Sequence, residues 1–242
     1  MRLYAELASW FHLITPPYEY VEEADHVARL LVAARGKPPR TMLELGSGGG
    51  NLASHLGVPE LTLSDISPQM LAISRPINPG REHLEGDMRT LRLGRTFDAV
   101  LVHDAIDYML TEDDLAAALA TVAAHLAPDG AAVLLPDVMS ETFAPGTSMG
   151  GEDDGEGRGA RYVEWMHEPP PGSTTYLSDF VFLLREAGGP TRVEHDPHTL
   201  GIFPRATWER LIAGAGLELV DVADVEDPFP AEHVVLVVRR AG

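Results

Sequence analysis

The chain contains no cysteine, which excludes disulfides, thiol nucleophiles, iron–sulfur clusters and cysteine zinc sites. Lysine is almost missing as well: Lys37 is the only one among 18 basic residues. A Walker A loop needs Gly-Lys-Ser/Thr, and a Schiff base would have to use Lys37, inside the Gly-Lys-Pro-Pro stretch of a linker. ATP hydrolysis on a P-loop and pyridoxal-phosphate chemistry are therefore both excluded. Positive charge is scarce overall, with 18 Lys and Arg against 37 acids and a net charge of −19. Nothing in that balance neutralises a nucleic-acid backbone or an anionic membrane surface. No apolar run approaches the ~18 residues of a membrane span. The opening MRLYAELASWFHL lacks the apolar core and cleavage site of a signal peptide, so a soluble, cytoplasmic protein is expected. At 242 residues and 45% hydrophobic composition, the chain can bury enough surface to fold without a staple.

What is present is alternation. Thr41–Leu45, Leu61–Ser64, Glu82–Glu85, Phe97–Val102 and Ala131–Leu135 read as strands. The last two are continuous apolar runs, as in parallel strands covered on both faces. Helices separate them. Ser67-Pro68 is an N-cap followed by proline at the first helical position, leading into Met70, Leu71 and Ile73. Thr111-Glu-Asp-Asp114 opens another helix, whose buried stripe is Leu115, Leu119, Val122 and Leu126. This pattern predicts an α/β fold with a doubly wound, mostly parallel sheet. After a helix over Thr207–Ala215, Leu217–Val225 and His233–Val238 are joined by a turn containing Asp227-Pro-Phe-Pro230. A connection so short requires an antiparallel hairpin.

Residues 1–36 are expected to form a helical cap rich in aromatics, Tyr4, Trp10, Phe11, Tyr18 and Tyr20 among them. Residues 37–136 and 204–242 form the α/β core. Residues 137–203 are an insertion of two or three antiparallel strands, forming either a substrate lid or a homodimer surface. Its Gly150–Gly159 stretch, GGEDDGEGRG, is acidic, glycine-rich and expected to be mobile.

The strongest motif is Glu44-Leu-Gly46-Ser-Gly48-Gly49-Gly50-Asn51, at the carboxyl end of the first strand. Glycines there let backbone turn sharply against a ligand, at the point where open α/β sheets bind. The dinucleotide pattern G-x-G-x-x-G fails: from Gly46 its third glycine would be Asn51, and from Gly48 it would be Ala53. Glu44 beside the turn suits a ligand with an ammonium group rather than a pyrophosphate. Asp65, 21 residues after Glu44, stands where an acid can accept from two ribose hydroxyls, and Ile66 offers an apolar face to a base. Gly86-Asp87-Met88 follows the third strand, where a carboxylate and a backbone N–H can read an adenine edge. Three acids at successive strand ends describe a pocket for adenosine without phosphate.

In this order and spacing, ELGSGGG, SDISPQML, GDM and FDAVLVHDAIDYM resemble the class I S-adenosylmethionine-dependent methyltransferases. The whole chain is also similar to small-molecule methyltransferases that include amino-sugar N,N-dimethyltransferases. The resemblance implies a seven-stranded sheet with its last strand antiparallel. It also implies S-adenosylmethionine (SAM) as donor and S-adenosylhomocysteine (SAH) as product. By similarity Gly46 and Gly48 lie against the methionine part, Asp65 on the ribose, and Asp87 with Met88 on the adenine. Glu44, Asn51, Ile66, Met70 and His103 complete the expected donor site. Because the cap folds over the cofactor in the resembled family, Tyr18 joins them.

Methyl transfer from a sulfonium is an in-line displacement, in which the protein positions the nucleophile and excludes water. His103, directly after the fourth strand, is the candidate catalytic residue. Tyr108 on the same loop, with His167 and His198 in the insertion, are candidates for the substrate side. His195-Asp-Pro-His198 has a spacing that can bind metal but no adjacent further ligands, so no metal is expected. The expected acceptor is a small molecule methylated on nitrogen or oxygen. The alternatives are a SAM-binding regulatory protein without transferase activity and a nicotinamide-dependent oxidoreductase.

Overall fold

A computed structural model describes residues 1–222 and 234–242. Two sheets organise it. The larger is assembled from β1 (Thr41–Leu45), β2 (Glu60–Asp65), β3 (Glu82–Glu85), β4 (Phe97–His103) and β5 (Leu126–Leu135), with the late strands β10 (Leu217–Leu219) and β11 (Leu236–Arg240). The smaller holds β6 (Gly146–Gly150), β7 (Gly159–Met166), β8 (Thr175–Arg185) and β9 (Thr191–Gly201). Strand order is β10-β11-β5-β4-β1-β2-β3 in the first and β6-β7-β8-β9 in the second.

Strands β1 to β5 are mutually parallel, while β11 runs antiparallel to both β5 and β10. The expected reversal is present, one strand in from the edge. The predicted end of the β10 run and the Asp227–Pro230 turn lie outside the described residues.

The helices are α1 (Phe11–Ile14), α2 (Val21–Arg35), α3 (Pro68–Ile77), α4 (Glu112–His125) and α5 (Arg205–Gly214). Continuous apolar strands divide their side chains between two layers. Val100, Val102, Ala132, Leu134 and Val238 face α4 and α5, through Leu115, Leu119, Val122, Trp208 and Ile212. Met42, Leu63, Leu101, Val133 and Val237 face the other way, against Val27, Leu30 and Leu31 of α2. Burial on both faces is the reason these strands carry no polar alternation. Ser67 caps α3 by accepting from the N–H of Met70, and Thr111 caps α4 by accepting from that of Asp114. Among the described residues no helix is long and apolar enough to cross a membrane.

The insertion holds four strands. Tyr162, Glu164 and Met166 fall on β7, Tyr176–Leu184 on β8, and Arg192–His195 on β9. The additional strand is β6, Gly-Thr-Ser-Met-Gly, which has no apolar alternation to announce it. The acidic Gly150–Gly159 stretch is the β6–β7 connection. There the Asp154 carboxylate accepts the N–H groups of Glu156 and Arg158, while Arg158 lies over the Trp10 ring at 4.1 Å. The loop also meets the cap directly, since the N–H of Glu152 donates to the carbonyl of Leu13. Leu3, Leu7, Trp10 and Ile14 share one core with Ala160, Phe182 and Leu184 of β7 and β8. The N-terminal segment and the small sheet thus cover the main sheet as one packed body.

Candidate functional site

Parallel register brings the carboxyl ends of the central strands level. Leu45 pairs with Ser64 and with Val102, His103 with Leu135, and Asp65 with Glu85. The turns that leave these ends form the floor of a cavity of about 340 Å³, within the ~300–1,000 Å³ usual for small-ligand sites. Glu44, Gly46, Gly48, Asn51, Asp65, Ile66, Asp87, Met88, His103 and Tyr108 all line it. Tyr4, Phe11 and Tyr20 of the N-terminal segment roof it.

The glycine loop follows from close approach. Gly46 has a φ of +71°, and a Cβ there would overlap the side chains of Ala105 and Met88. Gly50, at +74°, would overlap Ser74 and Asn78. The loop is pinned by Asp65, whose Oδ2 accepts the N–H of Gly48 and whose Oδ1 accepts that of Ser67, each at 2.8 Å. Burial raises the Asp65 carboxyl, and the backbone N–H groups of Ser67, Gly48 and Ile66 oppose the rise. Asp65 therefore shapes the rim itself. Asp87 is held low by Arg89, whose guanidinium spans Asp87 and Asp114. Ile66 is 64% exposed on the cavity wall, an apolar surface without a cover.

Two groups are left short of partners. Glu44 is buried, and its Oε2 has no hydrogen-bond partner. Burial pushes its carboxyl up to about 8, with Asp65 and Glu23 adding to the rise and His103 opposing it. The Oδ1 of Asn51 is similarly bare, while its Nδ2 donates to the carbonyl of Thr15 at 2.6 Å and ties the roof to the loop. A buried unpaired polar atom is costly. A ligand ammonium beside Glu44, a ribose at Asp65 and a base over Ile66 would satisfy this wall, so the residues fit an adenosyl amino acid.

Close to Glu44, His103 Nε2 lies 2.9 Å from Glu23 Oε1 and 3.0 Å from Asp104 Oδ1. Burial works against charge on the ring, but the two carboxylates outweigh it and raise His103 well above its usual range. Asp104 and Asp137 also crowd the buried Asp107. Burial and then Asp104 raise its carboxyl, while it accepts the N–H of Asp137 at 2.9 Å. A hydrogen-bonded chain leaves the cavity through Tyr108. Its hydroxyl lies 2.9 Å from Tyr4 Oη and 2.9 Å from His198 Nδ1, and His198 Nε2 lies 3.1 Å from Asp196. Burial lowers His198 against the pull of Asp196, so its ring is neutral.

Four expected contacts lie elsewhere. Tyr18 is 62% exposed and its hydroxyl donates to Glu152; the turn over Pro17–Tyr20 directs it outward and Tyr20 inward. His167 sits beside Trp165, against Asp179, away from the cavity. His198 stands behind Tyr108 rather than in the wall. Met70 is fully buried beneath the glycine loop, 3.8 Å from where a Cβ on Gly48 would stand. The roofing residues Tyr4, Phe11 and Tyr20 were legible only as packing aromatics, and their one signal was the aromatic density of the first twenty residues. Among the described residues no cluster of acids and histidines could hold a metal ion.

Glu44 generates a pH-dependent prediction. The folded state holds its proton more tightly than the unfolded chain, so the stability it contributes is full below about pH 4.5 and is lost as pH rises through 8. Without ligand, Glu44→Gln should therefore melt above wild type at pH 8, with the gap closing toward pH 4.5. An equal or lower Tm for the variant at pH 8 would show that Glu44 is not held protonated by burial.

Comparison with known proteins agrees with this geometry. Residues 42–130 match the model of a family described as "Methyltransferase domain". The curated dTDP-3-amino-3,6-dideoxy-alpha-D-glucopyranose N,N-dimethyltransferase of Streptomyces fradiae is 31% identical over 83% of this chain and 78% of its own. The crystal structure of Streptomyces venezuelae DesVI superposes with a TM-score of 0.82 at 27% identity, covering 98% of each chain. SAM-bound CalS10, an amino pentose methyltransferase from Micromonospora echinaspora, gives a TM-score of 0.76 at 29% identity, covering 92% of each chain. With a cavity at the strand ends and relatives of this kind along most of its length, the chain belongs to the SAM-dependent methyltransferases, in the family of the amino-sugar N,N-dimethyltransferases.

Proposed function

We propose that the protein methylates the amino nitrogen of a sugar-bearing small molecule. One observation carries this reading: a single cavity joins the glycine loop, with Asp65 and Asp87 and with Phe11 packed against the loop, to the aromatic and acidic groups of Tyr4, Asp104 and Tyr108. Glu44, Gly46, Gly48 and Asn51 would hold the methionine part, Asp65 the ribose, and Ile66, Asp87 and Met88 the base. When bound, SAM supplies a methyl group on a positively charged sulfur, which the acceptor nitrogen displaces in line. The N–C bond forms as the S–C bond breaks, and one nitrogen proton is released. The chain's own task is to align the two and keep water out.

His103 is unsuited to take that proton, because two carboxylates keep its ring protonated. It acts as a positioning residue for Asp104. Tyr108, backed by the neutral His198, faces the acceptor and leads protons away through a hydrogen-bonded chain. In this reading residues 1–36 are the cap, 37–136 with 204–242 the donor-binding core, and 137–203 the lid.

The outer face of the small sheet supports a second role, as the surface of a homodimer. Met149, Trp165 and Val193 are 75%, 57% and 63% exposed on it, and Val163, Leu177 and Leu183 lie among them. An apolar patch of this kind on a soluble chain marks an interface, and its self-complementary strands suit a second copy.

Four outcomes test the reading. Incubation with methyl-labelled SAM and a 3-amino sugar should give mono- and dimethylated amine; SAH binding without transfer to any amine would leave a regulatory binder. Asp65→Ala should weaken SAH binding by about 1.5–3 kcal/mol, and an unchanged Kd by calorimetry would remove Asp65 from the donor site. Wild type should sediment at twice its 26.2 kDa chain mass and Trp165→Asp as a monomer; a monomeric wild type at micromolar concentration would dismiss the dimer. His103→Asn should lower kcat about tenfold, or 1.4 kcal/mol, with little change in SAH affinity. The opposite split would make His103 a donor ligand.

A further inference from the structure

The run His195-Asp-Pro-His198 has the spacing of a metal site, but strand alternation divides it. In β9 His195 points to the outer face, where it meets Asp179, while Asp196 and His198 lie inward, 3% and 1% exposed. Aromatic rings enclose His198: Tyr4 at 5.7 Å, Tyr108 at 6.0 Å and Phe180 at 4.7 Å between centroids. Neither Asp196 nor His198 lines the cavity, yet His198 is bonded to Tyr108, which does.

The direction of these hydrogen bonds follows from what each group is able to donate. Burial would raise the Asp196 carboxyl, but the backbone N–H groups of Leu3 and Arg2, with His198, hold it below its ordinary value. It is therefore a carboxylate and can only accept. Its Oδ2 takes the N–H of Leu3 at 2.8 Å and the Nε2–H of His198 at 3.1 Å. Burial keeps the His198 ring neutral against the pull of Asp196 and Glu164, so its one hydrogen is on Nε2 and Nδ1 carries a lone pair. Tyr108 must then donate its hydroxyl hydrogen to Nδ1, at 2.9 Å. Burial also holds both tyrosines protonated. Tyr108 has spent its one hydrogen on His198, so Tyr4 donates to Tyr108, again at 2.9 Å. Both tyrosines line the cavity, and neither hydroxyl has a hydrogen left for what enters it.

That direction matters to a nitrogen nucleophile. An amine attacks through its lone pair, and a hydroxyl that donated to the nitrogen would occupy that pair. A hydroxyl that only accepts takes an N–H instead and leaves the pair free for the methyl carbon. We infer that Asp196 and His198 are positioning residues for methyl transfer: acting through Tyr108, they make the Tyr4–Tyr108 pair a one-way acceptor that holds the amine by its N–H. This inference rests on the amino-sugar reading above and adds to it two residues outside the cavity wall. The same direction lets Tyr108 pass its hydrogen to Nδ1 as it takes one from the nitrogen, which leaves an imidazolium beside the Asp196 carboxylate. Residues 2–4 contribute twice, since the segment that brings Tyr4 also completes Asp196.

The test has a spectroscopic arm and a kinetic one. In protein isotope-labelled on its histidine nitrogens and saturated with SAH, the His198 signals are assigned by their loss in His198→Asn. They should show hydrogen on Nε2 and none on Nδ1 at about pH 7.5. Hydrogen on Nδ1, alone or together with Nε2, would reverse the chain and overturn the inference. Asp196→Ala should let the ring populate both tautomers; an unchanged ring would show that Asp196 does not orient it. With SAM and a 3-amino sugar, His198→Leu should lower kcat about tenfold with SAH affinity unchanged. His198→Asn, whose amide oxygen can stand in for Nδ1 as an acceptor, should recover most of that loss. An unaltered His198→Leu, or a His198→Asn as slow as His198→Leu, would overturn the positioning role. Should Asp196→Ala release the N-terminal segment, the wild-type signals and the two His198 variants still decide. Absence of transfer by wild type, with the Nε2–H tautomer in place, would instead strike at the amino-sugar reading.

Discussion

Asp65 is the fulcrum of the molecule. A single carboxylate at the end of β2 receives the N–H of Gly48 from one turn and that of Ser67 from the next. Two loops that belong to different crossovers are thereby held at a fixed separation, and both line the cavity. The rest of the arrangement depends on this. On the same loop Gly46 comes so close to Ala105 that a Cβ would overlap it. α3 starts where it does because Ser67, once positioned, caps it. Both oxygens of Asp65 remain able to accept further hydrogen bonds, so one group sets the shape of the site and also faces its occupant.

The site is an uneven electrostatic object. Burial holds Glu44 near a pKa of about 8 with a bare oxygen, a situation that a ligand cation relieves. Nearby, Asp104, Asp107 and Glu23 act on His103, and His103 and Glu23 act in turn on Glu44. The apolar side chains of Ile66, Phe11 and Met88 line the same cavity. For a chain with a net charge of −19, this gathering of acids is a local expression of a global bias rather than a departure from it.

The central strands were legible in the sequence because burial on both faces leaves continuous apolar runs, as in FDAVLV. The rim was legible for the same reason: where such a run ends in a parallel sheet, the next residues must lie at the binding edge, and Glu44, Asp65, Asp87 and His103 do. The roof was less legible. β6 is built from Gly, Thr, Ser and Met, and its pairing with β7 rather than its composition makes it a strand. Tyr18 and Tyr20 stand two residues apart in one short turn, and sequence gives no rule for which of them faces inward. The choice is made by packing: Tyr20 meets His103 edge-on, leaving Tyr18 to bond Glu152 outside. His167 and His195 look like ligands on paper, but β-strand alternation places both on Asp179 at the outer face.

The roof has two authors. Trp10, near the start of the chain, is held against Arg158 and joined in one core to Phe182, and Leu13 bonds Glu152 across the same seam. Neither portion has a complete hydrophobic interior alone. A chimera that imports only the four-stranded sheet from a relative would inherit a mismatched seam over Tyr4 and Tyr108. The cover of this cavity is thus built by two distant stretches of chain that can be exchanged only as a set.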